Sequence, residues 1–210
     1  MSKLLYITAS PRKERSYALT VADAFISAYR DHNPQDIIDH LDLFNETLPP
    51  FDGETLAAKY AILSGSEHTP AQAAAWQPVV AMIARFKAAD KYLFALPMWN
   101  FSVPYKFKHY IDLIVQPGLT FSYDPATGYQ GLVPARPVAA VFARGGAYTE
   151  GTGYEKLDFQ STYLDLILGF IGLTEVRKIF VEPTLMASPE EMKERQAEAI
   201  RQAQQVAADF

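Results

Sequence analysis

Short apolar runs alternate along the chain with longer stretches in which apolar positions recur every three or four residues. Lys3 to Thr8 is apolar and rich in strand formers, and it stops at Ala9-Ser10-Pro11. From Ser16 onward Leu19, Val21, Ala22, Phe25, Ile26 and Tyr29 keep helical spacing. Asn33-Pro34 ends that helix, because the residue before a proline avoids the helical region. Ile37, Ile38 and Leu41 mark a second strand, followed by a loop from Asn45 to Gly53. A short helix is expected over Leu56 to Leu63. A longer one has Thr69 as its cap and Pro70 in its first turn, and runs to about Ala88 with a kink expected at Pro78. Lys91 to Leu96 predicts a third strand, Pro104 to Val115 a helix, and Pro137 to Ala143 a fourth strand. Tyr154 to Phe170 predicts another helix, and Glu175 to Val181 the fifth strand. Ser188-Pro189-Glu190-Glu191 opens the last helix with a cap, a first-turn proline and two acids that suit the helix dipole. Between Gly118 and Leu132 the pattern gives only an excursion, with turns at Asp124-Pro125 and Thr127-Gly128. Five strands alternating with helices predict an α/β fold, a parallel sheet covered on both faces. Ligands of such sheets gather beyond the carboxyl ends of the strands, where the strand order reverses.

Composition narrows the classes. The 210 residues are 49% hydrophobic and 20% charged, which fits one soluble globular domain spanning 1–210. Lys and Arg number 19 against 24 Asp and Glu, and no basic block occurs, so a nucleic-acid partner is not expected. The absence of cysteine excludes disulfides, thiolate metal sites and a cysteine nucleophile. The opening apolar run is too short for a signal peptide, and no stretch is long enough for a membrane span, so a cytoplasmic location is expected. His32, His40, His68 and His109 form no metal-ligand pair and are assigned surface or structural roles, so no metal is expected. Asp90 and Asp112 are read as strand-end and helix residues, and Glu190 to Arg195 as a solvated helix face.

Three strand ends carry candidate chemistry. After the first strand, Ser10-Pro11-Arg12-Lys13-Glu14-Arg15-Ser16 leads straight into a helix, offering hydroxyls, backbone N–H groups and a helix N-terminus to an anion. Neither Gly-x-Gly-x-x-Gly nor a Gly-Lys-Ser loop is present, which points to a phosphate monoester rather than a dinucleotide. A plain turn with Ser16 as helix cap is the competing reading of these residues. After the third strand, Pro97-Met98-Trp99-Asn100-Phe101 concentrates aromatic surface and an amide in a short loop, suited to a planar heteroaromatic ligand. The alternative is that Trp99 and Phe101 plug the sheet end. After the fourth strand, Arg144-Gly145-Gly146 permits a tight backbone with N–H groups turned outward, or an ordinary turn.

Pro97-Met98-Trp99-Asn100-Phe101, Val103-Pro104, Lys106, Asp112, Gly118, Thr120-Phe121, Gly131-Leu132 and Arg144-Gly145-Gly146-Ala147-Tyr148 resemble the FMN-dependent NADH-azoreductase (quinone reductase) family. The likeness runs from Lys3 to about Val181. It implies a flavodoxin-like three-layer sandwich with strand order 2-1-3-4-5. Carried over, Ser10, Ser16, Tyr17 and Ala18 resemble the FMN phosphate loop. Met98, Trp99, Asn100 and Phe101 resemble the wall along the isoalloxazine ring, and Ala143, Arg144, Gly145 and Gly146 its pyrimidine edge. The family often has serine at the positions of Ala18 and Ala143, and usually tyrosine at that of Trp99. Phe121, Tyr123 and Tyr148 are candidate substrate contacts.

The resemblance further implies a homodimer with a site shared across the interface, and ping-pong hydride transfer from NADH or NADPH to a quinone, azo or nitroaromatic acceptor. The cofactor's own chemistry would explain why no acid–base or nucleophilic constellation is visible. Two rivals are a flavodoxin-type electron carrier serving a protein partner, and a hydrolase using Ser10. The second lacks a base suitably placed to activate the serine.

Overall fold

The computed structural model describes residues 1–185 and 187–210. In chain order the elements are β1 (Lys3–Thr8), α1 (Tyr17–His32), β2 (Ile37–Asp42), α2 (Gly53–Leu63), α3 (Pro70–Lys87), β3 (Lys91–Pro97), α4 (Tyr105–Ile114), β4 (Phe121–Asp124), β5 (Gly128–Gly131), β6 (Val138–Ala143), α5 (Ser161–Ile171), β7 (Val176–Val181) and α6 (Pro189–Ala208). Five strands form a parallel sheet of order β2-β1-β3-β6-β7. Counted among themselves these are 2-1-3-4-5, the order expected.

Successive strand residues point to opposite faces, and the sheet divides its side chains accordingly. Leu4, Tyr6, Leu93, Ala95, Ala139 and Val141 join α1 and α6 in one core. Leu5, Ile7, Tyr92, Phe94, Ala140 and Phe142 join α3, α4 and α5 in the other. Burial on both faces is why these strands read as continuous apolar runs rather than as alternating ones. Thr69 and Ser188 cap α3 and α6 through reciprocal bonds with Gln72 and Glu191. The α3 helix continues through Pro78.

Three elements differ from expectation. The α2 helix starts at Gly53, earlier than Leu56. The helix expected from Tyr154 begins only at Ser161, after a single 3₁₀ turn at Glu155–Leu157. The cause is Asp158, whose Oδ1 accepts the N–H groups of Gln160 at 3.1 Å and Ser161 at 2.8 Å and fixes a non-helical entry. The Gly118–Leu132 excursion contains an antiparallel hairpin, β4 with β5. Its turn is held by Asp124 Oδ1, which accepts from Ala126 and Thr127.

The hairpin is anchored far from the strand carboxyl ends. Thr120 Oγ1 donates to the Ile114 carbonyl at the end of α4, and Val133 N–H donates to the Ile171 carbonyl at the end of α5. A Cβ on Gly131 would lie 2.4 Å from the Ile171 backbone, so only glycine admits this approach. Crossover helices run opposite to parallel strands, so both helix ends sit at the amino edge of the sheet.

Candidate functional site

The loops leaving β1, β3 and β6 share the carboxyl edge of the sheet. In the first, Ser10 is 4% exposed and its Oγ has no hydrogen-bond partner among the described residues. A buried hydroxyl left unpaired is costly, so this one marks a place where a ligand atom is expected. Ser16 is buried and caps α1, its Oγ accepting from Leu19 N–H at 3.4 Å. Ala18 is fully buried in the α1/α6 core, so what it offers is its amide. The Tyr17 and Ala18 amides stand in the first helical turn, where no intrahelical carbonyl can reach them. An anion beside Ser10 would therefore meet a hydroxyl, backbone donors and the positive end of a helix. Exposed Arg12, Lys13 and Arg15 add positive charge around it.

The second loop is a tight two-residue turn. Trp99 N–H donates to the Ser102 carbonyl at 2.9 Å and Ser102 N–H returns the bond to Trp99 at 3.0 Å. Asn100 and Phe101 between them have φ of 48° and 66°. Positive φ at both central residues is the type I′ geometry, which suits asparagine and strains phenylalanine. Met98 N–H donates to the Ala143 carbonyl at 2.8 Å, tying this turn to the end of β6. Phe101 is 44% exposed and meets Tyr148 edge-on, with ring centroids 6.0 Å apart. Trp99 instead packs with Phe44 and Tyr105.

The third loop is pinned from inside. Arg144 is 1% exposed, and its guanidinium donates to Gln160 Oε1 at 3.0 Å, Asp158 Oδ2 at 2.9 Å and Glu182 Oε2 at 3.2 Å. It also lies over the Phe180 ring at 4.3 Å. The Arg144 side chain is thus spent within the fold, and its segment presents backbone to the edge. Glu182 also accepts the Tyr148 and Thr149 amides at 3.1 and 3.0 Å, and Gln160 Nε2 donates to the Leu96 carbonyl. The ends of β3, β6 and β7 and the start of α5 are joined in one hydrogen-bonded frame. A Cβ on Gly146 would lie 2.8 Å from the Tyr148 hydroxyl, so a larger residue there would displace the end of that ring.

Ser10, Ser16, Tyr17, Ala18, Met98, Trp99, Asn100, Phe101, Ala143, Gly145, Gly146 and Tyr148 all lie in these three loops or at their helix and strand ends. Phe121 and Tyr123 do not: Phe121 packs on Phe170 in the last turn of α5, and Tyr123 on Tyr129 across the hairpin. The sequence reading missed Phe44, Asp158, Gln160 and Glu182. Two of them carry the same positional signal as the residues it found, since Phe44 follows β2 and Glu182 follows β7. Among the described residues no cluster of His, Asp or Glu could hold a metal ion, and no helix is long and apolar enough to cross a membrane.

Known proteins are similar to this chain in architecture and sequence. The chain is 51% identical over 210 residues, all of both chains, to the FMN-dependent NADH:quinone oxidoreductase of Nitratidesulfovibrio vulgaris strain Hildenborough. It is 51% identical over 188 residues to the protein of the same name from Desulfotalea psychrophila, covering 90% of this chain and 88% of the relative. Among solved structures, an azoreductase from Bacillus anthracis superposes with a TM-score of 0.90 at 29% identity over the whole of both chains. An FMN-dependent NADH-azoreductase from the same species, solved in complex with FMN, gives 0.88 at 26% identity over 100% of this chain and 99% of that one. The sequence model of the family described as having the flavodoxin-like fold matches residues 2–207, and the chain belongs to that family.

Proposed function

We propose that residues 1–210 form one FMN-binding unit that transfers two electrons from NADH or NADPH to a quinone or azo acceptor. The observation that carries this is the buried, unpartnered Ser10 hydroxyl at the N-terminus of α1, beside two loops with aromatic and backbone surface. The donor set suits FMN. Ser10 and the Tyr17 and Ala18 amides would hold the phosphate, with Ser16 fixing the helix start. Met98, Trp99, Asn100 and Phe101 would line the ring system, and the backbone at Ala143, Arg144, Gly145 and Gly146 would meet its polar edge. Bound FMN would supply the redox chemistry for hydride to pass from a nicotinamide to a second substrate. The residues of the chain contribute binding and orientation. Arg144, Asp158 and Glu182 hold the β6 loop so that its amides stay in place without reorganisation.

Phe121 and Tyr123, remote from their own edge, are assigned to the site of a second copy in a homodimer. Tyr123, Tyr129 and Leu166 support this, being 61%, 64% and 71% exposed on the hairpin and α5. Light scattering on purified protein checks the dimer.

The decisive experiment is spectroscopic. Purified protein reconstituted with FMN is expected to be yellow, to bleach with NADH under anaerobic conditions, and to recover with a quinone and no other protein. Failure to take up FMN overturns the reading. Bleaching without quinone turnover favours the electron carrier instead. Parallel double-reciprocal plots support the ping-pong order, and intersecting ones overturn it.

A further inference from the structure

Residues 146–157 join the end of β6 to the approach to α5, with one 3₁₀ turn as their only regular structure. Among the described residues their hydrogen bonds are local, such as Thr152 Oγ1 donating to the Thr149 carbonyl at 2.8 Å, with two exceptions. Both exceptions end on Glu182, whose Oε2 accepts the Tyr148 amide at 3.1 Å and whose Oε1 accepts the Thr149 amide at 3.0 Å. A single carboxylate just beyond β7 therefore ties this stretch to the rest of the fold.

Glu182 is itself firmly held. Its carbonyl accepts from Arg195 Nη1 of α6 at 2.9 Å, its Oε2 also accepts from Arg144 Nη1 at 3.2 Å, and its side chain is 7% exposed. Its chain neighbours bond to Arg144 as well, Val181 through its carbonyl and Thr184 through its N–H. The three groups that meet the carboxylate are all donors. A carboxylate offers acceptors at both oxygens, whereas an amide of the same shape offers one oxygen and turns its own N–H groups toward the other donors. The position calls for a carboxylate and not merely for a polar side chain of this size.

Tyr148 stands where such anchoring reaches the site. Its ring meets Phe101 of the β3 loop edge-on at 6.0 Å between centroids, and its hydroxyl lies 2.8 Å from where a Cβ on Gly146 would be. The ring thus spans the β3 and β6 loops, the two assigned above to the flavin ring. Among the described residues the bond to Glu182 is the one hydrogen bond that Tyr148 makes.

We propose that Glu182 is a positioning residue of the flavin site, its carboxylate setting the Tyr148 ring as a strut between Phe101 and Gly146 and so fixing the grip on the isoalloxazine system. The inference rests on the oxidoreductase reading above. Glu182 acts through Tyr148 and takes no part in the transfer itself.

The test is a double-mutant cycle on FMN binding, read by fluorescence titration of wild type, Glu182→Gln, Tyr148→Ala and the double variant. Glu182→Gln is expected to raise Kd roughly tenfold, and less than about twofold when Tyr148 is already alanine. Glu182→Asp keeps the charge beside Arg144 but withdraws the oxygens by one methylene, and it is expected to weaken binding in the same background-dependent way should Glu182→Gln not fold. Equal losses with and without Tyr148, or no loss in either Glu182 variant, overturn the proposal. Amide hydrogen exchange on the apo protein reads the anchoring without FMN. The Tyr148 and Thr149 amides are expected to exchange at least about tenfold faster in the Glu182 variants, while Gln160 and Ser161, held by Asp158, change less than about twofold. Equal acceleration of both pairs marks a general loss of stability and overturns the positioning role. If wild type takes up no FMN, the oxidoreductase reading falls, and the exchange pattern alone decides whether Glu182 positions Tyr148.

Discussion

The Arg144 guanidinium meets the Asp158 carboxylate at 2.9 Å, with the arginine side chain wholly and the aspartate largely shut off from water. This pair joins the end of β6 to the entry of α5, and Asp158 also holds the first amides of that helix. Burial makes such a contact hard to break by halves. Arg144 would keep Glu182 as its one counter-charge and its Nη2 would lose its acceptor in a region closed to water, while α5 would lose the acceptor of its first amides. Asp158→Ala is therefore expected to destabilise the protein by about 3–5 kcal/mol. Urea unfolding of the apo protein checks this, and a loss below the range of surface pairs would show that the network is dispensable.

Ser10→Ala separates stability from binding. The hydroxyl has no partner among the described residues, so its removal is expected to leave the apo melting temperature unchanged or slightly higher. Affinity for FMN should fall by about 1.5–3 kcal/mol, the worth of a hydrogen bond to a charged group. Fluorescence titration and thermal melts of the same samples distinguish the two effects.

Phe101→Gly relieves a strained turn. With φ of 66°, a left-handed conformation costs an L-residue about 1–2 kcal/mol, and Asn-Gly is the favoured pair for a type I′ turn. Apo stability is expected to hold or rise, while FMN affinity and turnover drop as the ring beside Tyr148 is lost. A variant that gained stability and kept full activity would remove Phe101 from the site.

Asp39 sets part of the acid limit. Arg85 donates to it at 2.7 Å and Lys3 lies 2.8 Å away, and hydrogen bonding to Arg85 first of all lowers its pKa to about 2. A depressed carboxylate contributes stability that is complete above its unfolded value of about 3.9 and is lost as the pH falls through 2. Asp39→Asn is expected to weaken the fold by about 1 kcal/mol at neutral pH and to flatten the fall in stability between pH 4 and 2. Denaturant midpoints across that window test it.

The five-strand frame is legible in the sequence because β1, β3 and β6 are apolar runs bounded by turns. The edge strands β2 and β7 keep shorter apolar sets among charged residues, and helices carry caps at Ser16, Thr69 and Ser188. The site loops are legible for a positional reason, since they follow strands one, three and four of the sheet. The hairpin is not. Its strands have four residues each, with Gly128 and Gly131 in the second, and their support comes from the distant ends of α4 and α5. Leu157 fits a helical spacing, yet Asp158 diverts the backbone through bonds that spacing does not encode. Arg144 can be placed at the edge from sequence, but its inward turn depends on Asp158 and Glu182, far along the chain.

The sheet keeps its two layers of side chains apart, with Leu93 facing α1 and α6 while Phe94 faces α3, α4 and α5. Substitutions in distant, non-touching regions combine additively. Improvements found under α6 can therefore be stacked onto changes made around Trp99 with little interference. For anyone evolving this scaffold toward new acceptors, the α1/α6 side is a reserve of robustness that can be raised first and drawn down later.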